Sequence, residues 1–171
     1  MRELLTYRQR MLTHWRNTVP ALQRAVARLT EEIWQCAPRD GQWTPHQTLA
    51  HLRDMEQKVF QPCIYAFIAD TQHAMPLCLD DEAWLSIYRP DEPVADLLAT
   101  YADLRQREAE WLDSLPADGW IILRRHPQVG MRSLQWWIER SLATARGHLR
   151  LLEQSTKTDF SGMISDNSTP V

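Results

Sequence analysis

The chain has 171 residues, of which 44% are hydrophobic and 24% charged, and it carries a net charge of −3. These values indicate one globular domain with a single core, and the mild acidity argues against a nucleic-acid-binding surface, which needs clustered Lys and Arg. No apolar run reaches the length of a membrane span, the charged N-terminus does not resemble a secretory signal, and the three cysteines form no CxxC pair. We therefore expect a cytoplasmic protein that binds neither membranes nor nucleic acids.

The first helix is predicted from about Glu3 to about Trp34, because apolar residues recur there at helical spacing. Pro20 interrupts this pattern, since an interior proline removes one backbone hydrogen bond and clashes with the preceding turn. Either the helix kinks at Pro20, or Thr18 caps a new helix. A turn is predicted to follow at residues 37–41.

The second helix is predicted from Pro45 to about Ala69, and its start carries a clear local signal. Thr44 is a good N-cap, Pro45 is favoured at the first helical position, and Gln47 completes a capping box. An apolar stripe at helical spacing follows, made of Leu49, Leu52, Met55, Val59, Phe60, Cys63 and Phe67. His51 lies at the edge of this stripe. It is either a partly buried histidine bonded to a neighbour, which is the favoured interpretation for a lone histidine, or a ligand or catalyst.

A long irregular stretch at residues 70–92 comes next, and a connection of this length usually crosses the fold or covers a site. It includes a predicted short helical turn at residues 82–87. Pro93 then opens the third helix, whose apolar residues again recur at helical spacing.

Three charged residues fall on apolar helix faces, namely Glu56 of the second helix and Arg105 and Glu108 of the third. Buried charges must be paired, because an isolated one is very costly. The favoured interpretation is a structural polar layer, or side chains that extend to solvent. The alternative is that these groups tune a site.

The C-terminal part of the chain contains the last predicted helix. The third helix is predicted to end at residues 115–119, after which residues 120–123 have strand-like composition but form one isolated short run. Residues 124–130 are predicted as a loop. Ser133 is a suitable N-cap for the fourth helix, which carries an apolar face of its own.

Four amphipathic helices joined by one long crossover predict an all-α four-helix bundle. This domain is expected to span residues 1–155. The remaining residues, 156–171, are rich in Ser, Thr, Asp and Asn and are predicted to form a flexible tail.

Two histidines occupy equivalent depths in the predicted bundle. His51 lies about seven residues after the start of the second helix and His148 about seven residues before the end of the fourth, so at about 1.5 Å per residue each is roughly 10 Å from its helix end. If these helices are antiparallel, the two imidazoles can face each other. The spacing therefore favours a site that both histidines share.

A zinc-type metal site normally needs at least three protein ligands. A further ligand on the same helix face would lie four residues from a histidine, but Thr144 occupies that position before His148. Asp54 is the acidic residue nearest in sequence to His51, and it points further outward. His126 reaches the site only if its loop folds back. A complete metal site, a weak one and no metal all remain open at this point.

Several stretches of the chain resemble motifs of the DinB/YfiT-like proteins. Residues 43–45 (WTP) and 51–56 (HLRDME) are similar to that family's W-[ST]-P…HL-x-D-x-E pattern. Residues 126–134 (HPQVGMRSL) resemble its H-P-x-x-G-x-x-[ST]-L stretch, and residues 147–149 (GHL) match the second histidine of its terminal H-x-x-x-H-L motif. The likeness extends over nearly the whole predicted domain.

The resemblance implies a four-helix bundle, often a homodimer, with a divalent metal such as Zn or Ni held by three histidines at one end. Carried over by position, His51 and His148 take the first and third ligand places, and Thr144 occupies the second, where the family has histidine. Threonine is a poor zinc or nickel ligand, because its hydroxyl is not deprotonated at neutral pH. Some relatives are thiol transferases or metal-dependent hydrolases.

Two hypotheses follow for the function. In the first, which is preferred, a divalent ion held by His51, His148 and either water or a recruited carboxylate lowers the pKa of bound water or of a substrate thiol. In the second, the bundle has lost its metal and binds a small organic ligand through tryptophan stacking and the two imidazoles. The residues expected around the pocket in either case are Trp43, Asp54, Trp137 and His126.

Overall fold

The computed structural model describes residues 2–69, 75–77 and 80–156. Within these residues, long helical segments form a four-helix bundle, as predicted. Its elements are α1 (Arg2–Val26), α2 (Pro45–Met55), a π-helical turn (Glu56–Phe60) that continues directly into α3 (Gln61–Ile68), the short α4 (Asp81–Leu85), α5 (Val94–Ser114) and α6 (Leu134–Ser155). Short 3-10 turns lie at Glu31–Ile33 and Ala117–Ile121, and a small hairpin joins β1 (Leu123–His126) to β2 (Gly130–Ser133).

Pairs of contacts show the relative direction of two pairs of neighbouring helices. Glu56, which follows α2, meets Ser141 of α6, whereas His51, earlier in the chain, meets His148, later in α6. Advancing along α2 therefore means moving backwards along α6, so the two helices are antiparallel. The same test makes α1 antiparallel to α5, because Arg8 bonds the carbonyl of Leu112 and Trp15, further along α1, lies under Arg105.

Helix starts follow the local sequence signals. The Thr44 hydroxyl accepts from the Gln47 backbone N–H at 3.1 Å, and the Gln47 side chain accepts from the Thr44 N–H at 2.8 Å, so the predicted capping box is present. The Ser133 hydroxyl caps α6 in the same way, by accepting from the Trp136 N–H at 3.2 Å. Both predicted N-caps are therefore confirmed.

The end of the first helix was predicted too late in the chain. α1 continues through Pro20, and the Thr18 hydroxyl bonds the Trp15 carbonyl instead of capping a new helix. The helix then ends at Val26, eight residues before Trp34. Trp34 is buried, and its carbonyl accepts from the N–H of His46 at 3.0 Å. This tertiary contact holds the chain against the start of α2, which a continued α1 would not allow.

The predicted loop at residues 124–130 is also wrong, because most of it belongs to the hairpin. β1 pairs with β2 in an antiparallel register that sets His126 opposite Gly130, leaving three residues at the tip. Gly130 has φ 72°, a left-handed conformation that glycine adopts without steric cost and that suits a three-residue hairpin turn. The strand-like composition at residues 120–123 thus lies a few residues before the strand that the structure contains, β1.

The core consists of two clusters of buried side chains. The tryptophan cluster contains Trp15, Phe60, Trp120 and Trp137 among others, and the pocket-side cluster contains Leu22, Leu49, Trp84 and Leu97 among others. Arg105 lies where the two meet, because its guanidinium stacks 3.9 Å from the Trp15 ring and donates to the Tyr101 hydroxyl of the other cluster at 2.7 Å.

The predicted polar layer is built around this arginine. Arg105 lies 3.3 Å from the Glu56 carboxylate and 3.9 Å from that of Glu108, and all three side chains are buried. The Ser141 hydroxyl donates to Glu56 at 3.0 Å. The charges pair with one another, as the structural interpretation requires.

Two sequence predictions concern residues that the structure does not describe. Most of the predicted tail, residues 157–171, and residues 70–74 and 78–79 of the crossover lie outside the described part of the chain. Among the described helices, none combines the length and the apolar character that crossing a membrane requires.

Candidate metal-binding pocket

A cavity of about 410 Å³ opens at the end of the bundle where α2 begins and α6 ends. It lies beside the pocket-side cluster of the core. Its walls are formed by Pro38, Gln42, Trp43, Thr48, His51, Asp81, His148, Leu151, Gln154 and Ser155. The cavity therefore combines apolar surfaces with two imidazoles and one carboxylate.

The two histidines meet in this cavity. Nδ1 of His51 lies 2.8 Å from Nε2 of His148, and the rings are stacked with centroids 5.1 Å apart and an interplanar angle of 25°. The juxtaposition expected from their equal depth is present. Their role as metal ligands remains a prediction.

A backbone hydrogen bond determines the tautomer of His148. Nδ1 of His148 lies 2.8 Å from the carbonyl oxygen of Thr144, and because a carbonyl only accepts, this nitrogen carries the proton. Nε2 of His148 then presents its lone pair towards His51. Metal-ligating histidines are commonly oriented in this way, with the second ring nitrogen bonded to a backbone carbonyl.

Both imidazoles are kept neutral by their surroundings. Burial, together with the smaller effect of the neighbouring His148, lowers the pKa of His51 to about 4, although the negative charges of Asp81 and Asp54 oppose this shift. Burial also lowers the pKa of His148, against the opposing effect of its bond to Thr144. At neutral pH both rings are therefore unprotonated bases, the form that binds metals and accepts protons.

Two tryptophans hold the ring of His51. Trp43 and Trp84 contact it edge-on, with centroid separations of 4.6 and 4.8 Å, and they pack against each other at 5.0 Å. Trp43 was predicted in the pocket. Trp84 was not, although its position in the crossover expected to cover a site was a usable signal. Together the two indoles restrict the orientation of the imidazole.

The prediction that Asp54 lines this pocket is corrected by the structure. Its carboxylate faces a separate, more polar pocket, and it accepts hydrogen bonds from Trp84 Nε1 at 3.0 Å, Arg53 Nε at 2.8 Å and Lys58 Nζ at 2.9 Å. Asp54 therefore lies behind Trp84, and it acts on His51 through its charge and by fixing that indole.

We expect the substitution Asp54→Ala to lower the free energy of unfolding by about 1–3 kcal/mol, because the buried Trp84 indole N–H loses its acceptor. Urea denaturation followed by circular dichroism measures the change. Lys58→Ala is the matched control: it removes another partner of Asp54, but one whose side chain is 49% exposed, so the expected change is within about 0.5 kcal/mol. Equal effects of both substitutions would contradict this role.

Trp137 and His126 do not reach the cavity, contrary to the prediction. Trp137 is buried in the tryptophan cluster, and at about 1.5 Å per residue it lies roughly 16 Å before His148 along α6. His126 packs against it at 5.0 Å, donates from Nε2 to the Pro76 carbonyl at 2.9 Å and accepts from the Gln128 N–H at 3.1 Å. Both of its ring nitrogens are thus used in fixing the hairpin against the crossover.

The two imidazoles provide two of the three protein donors that a zinc-type metal site normally needs. With metal–nitrogen bonds of about 2.1 Å and tetrahedral angles, adjacent ligand nitrogens are about 3.4 Å apart. The two imidazole nitrogens, at 2.8 Å, are at hydrogen-bond distance and would have to separate slightly to hold an ion. Thr144 contributes its backbone carbonyl to His148. Across residues 2–69, 75–77 and 80–156, no three side chains of His, Cys, Asp or Glu are placed closely enough to hold a metal ion.

Comparison with known proteins agrees with this architecture. A solved structure described as "YfiT from Bacillus subtilis is a probable metal-dependent hydrolase with an unusual four-helix bundle topology" superposes with a TM-score of 0.76 and 18% sequence identity, covering 88% of this chain and 86% of that one. Among curated proteins, no sequence match was found. The sequence model of the DinB superfamily matches residues 10–152. The chain therefore belongs to the DinB superfamily.

Proposed function

We propose that this protein binds a divalent metal ion through His51 and His148 and acts as a metal-dependent hydrolase or thiol transferase. The observation that supports this proposal best is the 2.8 Å separation of two neutral imidazole nitrogens on the wall of a cavity of about 410 Å³. The description of YfiT as a "probable metal-dependent hydrolase" agrees with it. Zn and Ni are the ions that we consider first.

The two histidines and the carbonyl of Thr144 have separate roles in this proposal. A bound divalent ion would lower the pKa of water or of a substrate thiol, so that a nucleophile exists at neutral pH. The carbonyl of Thr144 keeps the proton of His148 on Nδ1 and its lone pair on Nε2. In the structure Nδ1–H of His51 donates to Nε2 of His148 at 2.8 Å, so to act as a ligand through Nδ1 the ring of His51 would have to carry its proton on Nε2 instead.

The shape and polarity of the cavity indicate its substrate class. Trp43 and Leu151 offer apolar surface, while Thr48 and Gln42 provide hydrogen-bonding groups. A small molecule with a flat or apolar part against Trp43 and a reactive polar group near the imidazoles matches this arrangement. Aromatic side chains at a pocket also favour ligands that stack.

The decisive experiment is a metal-binding measurement on the purified protein. We expect isothermal titration with zinc and nickel to detect one site, and His51→Ala and His148→Ala each to weaken binding at least about 100-fold, because each substitution removes one of two imidazole ligands. His14→Ala is the matched control, since His14 is exposed on α1. The proposal would be overturned if elemental analysis found no bound metal and the titration with zinc and nickel gave no heat of binding.

A threonine at position 144, where the family has a histidine ligand, favours a second candidate function. If the wild-type protein binds no metal, the same cavity can serve as a non-catalytic site for a small organic ligand, with His51 and His148 as hydrogen-bonding groups. A ligand that shifts the melting temperature of metal-free wild type, but not of His51→Ala, would support this alternative. Homodimer formation and a cytoplasmic location remain predictions from the sequence.

A further inference from the structure

We propose that a second cavity of this protein, the polar cavity, binds a phosphate group between Lys58 and Arg89. The polar cavity has a volume of about 350 Å³ and is the one that the carboxylate of Asp54 faces. Among the described residues, it shares no lining residue with the pocket of His51 and His148. The inference therefore goes beyond the proposed function, and its test does not depend on metal binding.

The charged side chains that line the polar cavity form one alternating chain of ion pairs. Lys58 donates to Asp54 at 2.9 Å, and Asp54 also accepts from Nε of Arg53 at 2.8 Å. The two terminal nitrogens of Arg53 donate to the two carboxylate oxygens of Glu92, at 2.6 and 2.8 Å. Glu92 then pairs with Arg89 at 3.2 Å. The chain thus begins and ends with a cation and carries one more positive charge than negative charges.

The centre of this chain is largely buried, whereas both of its ends are accessible. The side chains of Arg53, Asp54 and Glu92 are 11–13% exposed. In contrast, Lys58 is 49% and Arg89 69% exposed. Within the described part of the chain, each of these two ends pairs with a single carboxylate, although an ammonium has three N–H donors and a guanidinium five. Both ends therefore keep donors that can bind a further anion.

The charge of the chain favours a phosphate group. The hydrogen bonds from Arg53, against the opposing effect of burial and with a smaller contribution from Arg89, lower the pKa of Glu92 to about 2. Glu92 is therefore ionised at neutral pH, and it balances only part of the positive charge around it. An anion that bridges Lys58 and Arg89 closes the chain into a ring in which every charge lies between two opposite charges. Phosphate suits this position because it has several acceptor oxygens for two separate cations and matches the fork of a guanidinium.

Trp84 provides a signal that reports on this site. Its Nε1–H and the ammonium of Lys58 share one acceptor, Oδ2 of Asp54, at 3.0 and 2.9 Å. A phosphate group that draws Lys58 away leaves this oxygen a stronger acceptor for the indole. We therefore expect the indole N–H resonance of Trp84, identified by comparison with Trp84→Phe, to shift on binding.

The test is an NMR titration of the full-length protein, without added metal, at an ionic strength held constant with NaCl. Inorganic phosphate and glycerol 3-phosphate are the two probes. We expect a saturable shift of the Trp84 signal, and we expect Lys58→Gln and Arg89→Gln each to weaken binding about 10-fold, because each removes one charge-assisted contact. Tighter binding of glycerol 3-phosphate assigns the site to a phosphomonoester, and equal or weaker binding assigns it to free phosphate.

Arg107→Gln is the matched control, because it removes an exposed arginine of α5 that does not line the polar cavity; its affinity is expected to stay within about twofold of the wild type. The inference is overturned if neither probe gives a saturable shift, or if only one of the two end cations matters. Binding that is lost in His51→Ala but kept in Lys58→Gln and Arg89→Gln also overturns it, because the phosphate then occupies the other pocket. None of these results would contradict metal binding by His51 and His148.

Discussion

Replacing Arg105 by alanine is expected to lower the free energy of unfolding by about 3–5 kcal/mol, a large part of the stability of an ordinary domain. The substitution removes the positive charge beside two buried carboxyl groups, those of Glu56 and Glu108. It also removes the cation above Trp15 and the donor to the Tyr101 hydroxyl. Chemical denaturation of the purified variant measures the loss.

The matched control for this substitution is Arg107→Ala on the same helix. Arg107 is exposed, and its removal is expected to change the free energy of unfolding by no more than about 0.5 kcal/mol. If Arg105→Ala were as stable as Arg107→Ala, the three charged groups could not form a buried, paired layer.

The substitution Glu108→Gln tests the same layer through pH. Burial raises the pKa of the Glu108 carboxyl well above its usual range, and the nearby Glu56 raises it further. The stability that this proton contributes is fully present below the pKa of an unfolded glutamate and is lost as the pH rises through the folded-state pKa. Glutamine keeps the shape but does not titrate, so we expect the variant to gain stability relative to wild type as the pH increases. A difference independent of pH would contradict this.

The substitution Thr144→His is expected to raise the affinity for zinc by about two orders of magnitude, because it adds an imidazole one helical turn before His148. Residues four apart on a helix lie on the same face, and Thr144 is half-buried. The new ring would therefore approach the space between the existing imidazoles. Competition with a chelator measures the gain.

Ala143→His is the control for this gain of function. Ala143 lies on α6 directly before Thr144 but is exposed, so an imidazole there points away from the cavity. We expect its zinc affinity to equal that of the wild type. If Thr144→His also gave no gain, position 144 would not correspond to the missing histidine of the family.

Local sequence signals were sufficient where one turn of helix contains all the interacting groups. The caps at Thr44 and Ser133 are examples, since each hydroxyl bonds a backbone N–H three residues later. The pairing of His51 with His148 could also be predicted, because two regular helices convert residue number into depth. The sequence alone thus determined the bundle and one pair of candidate ligands.

The tertiary structure decided everything that depends on contacts between distant segments. α1 ends at Val26, and the carbonyl of Trp34 then bonds the start of α2. The carboxylate of Asp54 does not line the cavity and accepts from the indole N–H of Trp84. Asp81 enters the cavity for a related reason, since α4 packs beside His51. Helical periodicity specifies which face of a helix is buried, but it carries no information about where an irregular crossover will lie. That position depends on side-chain packing across the whole bundle.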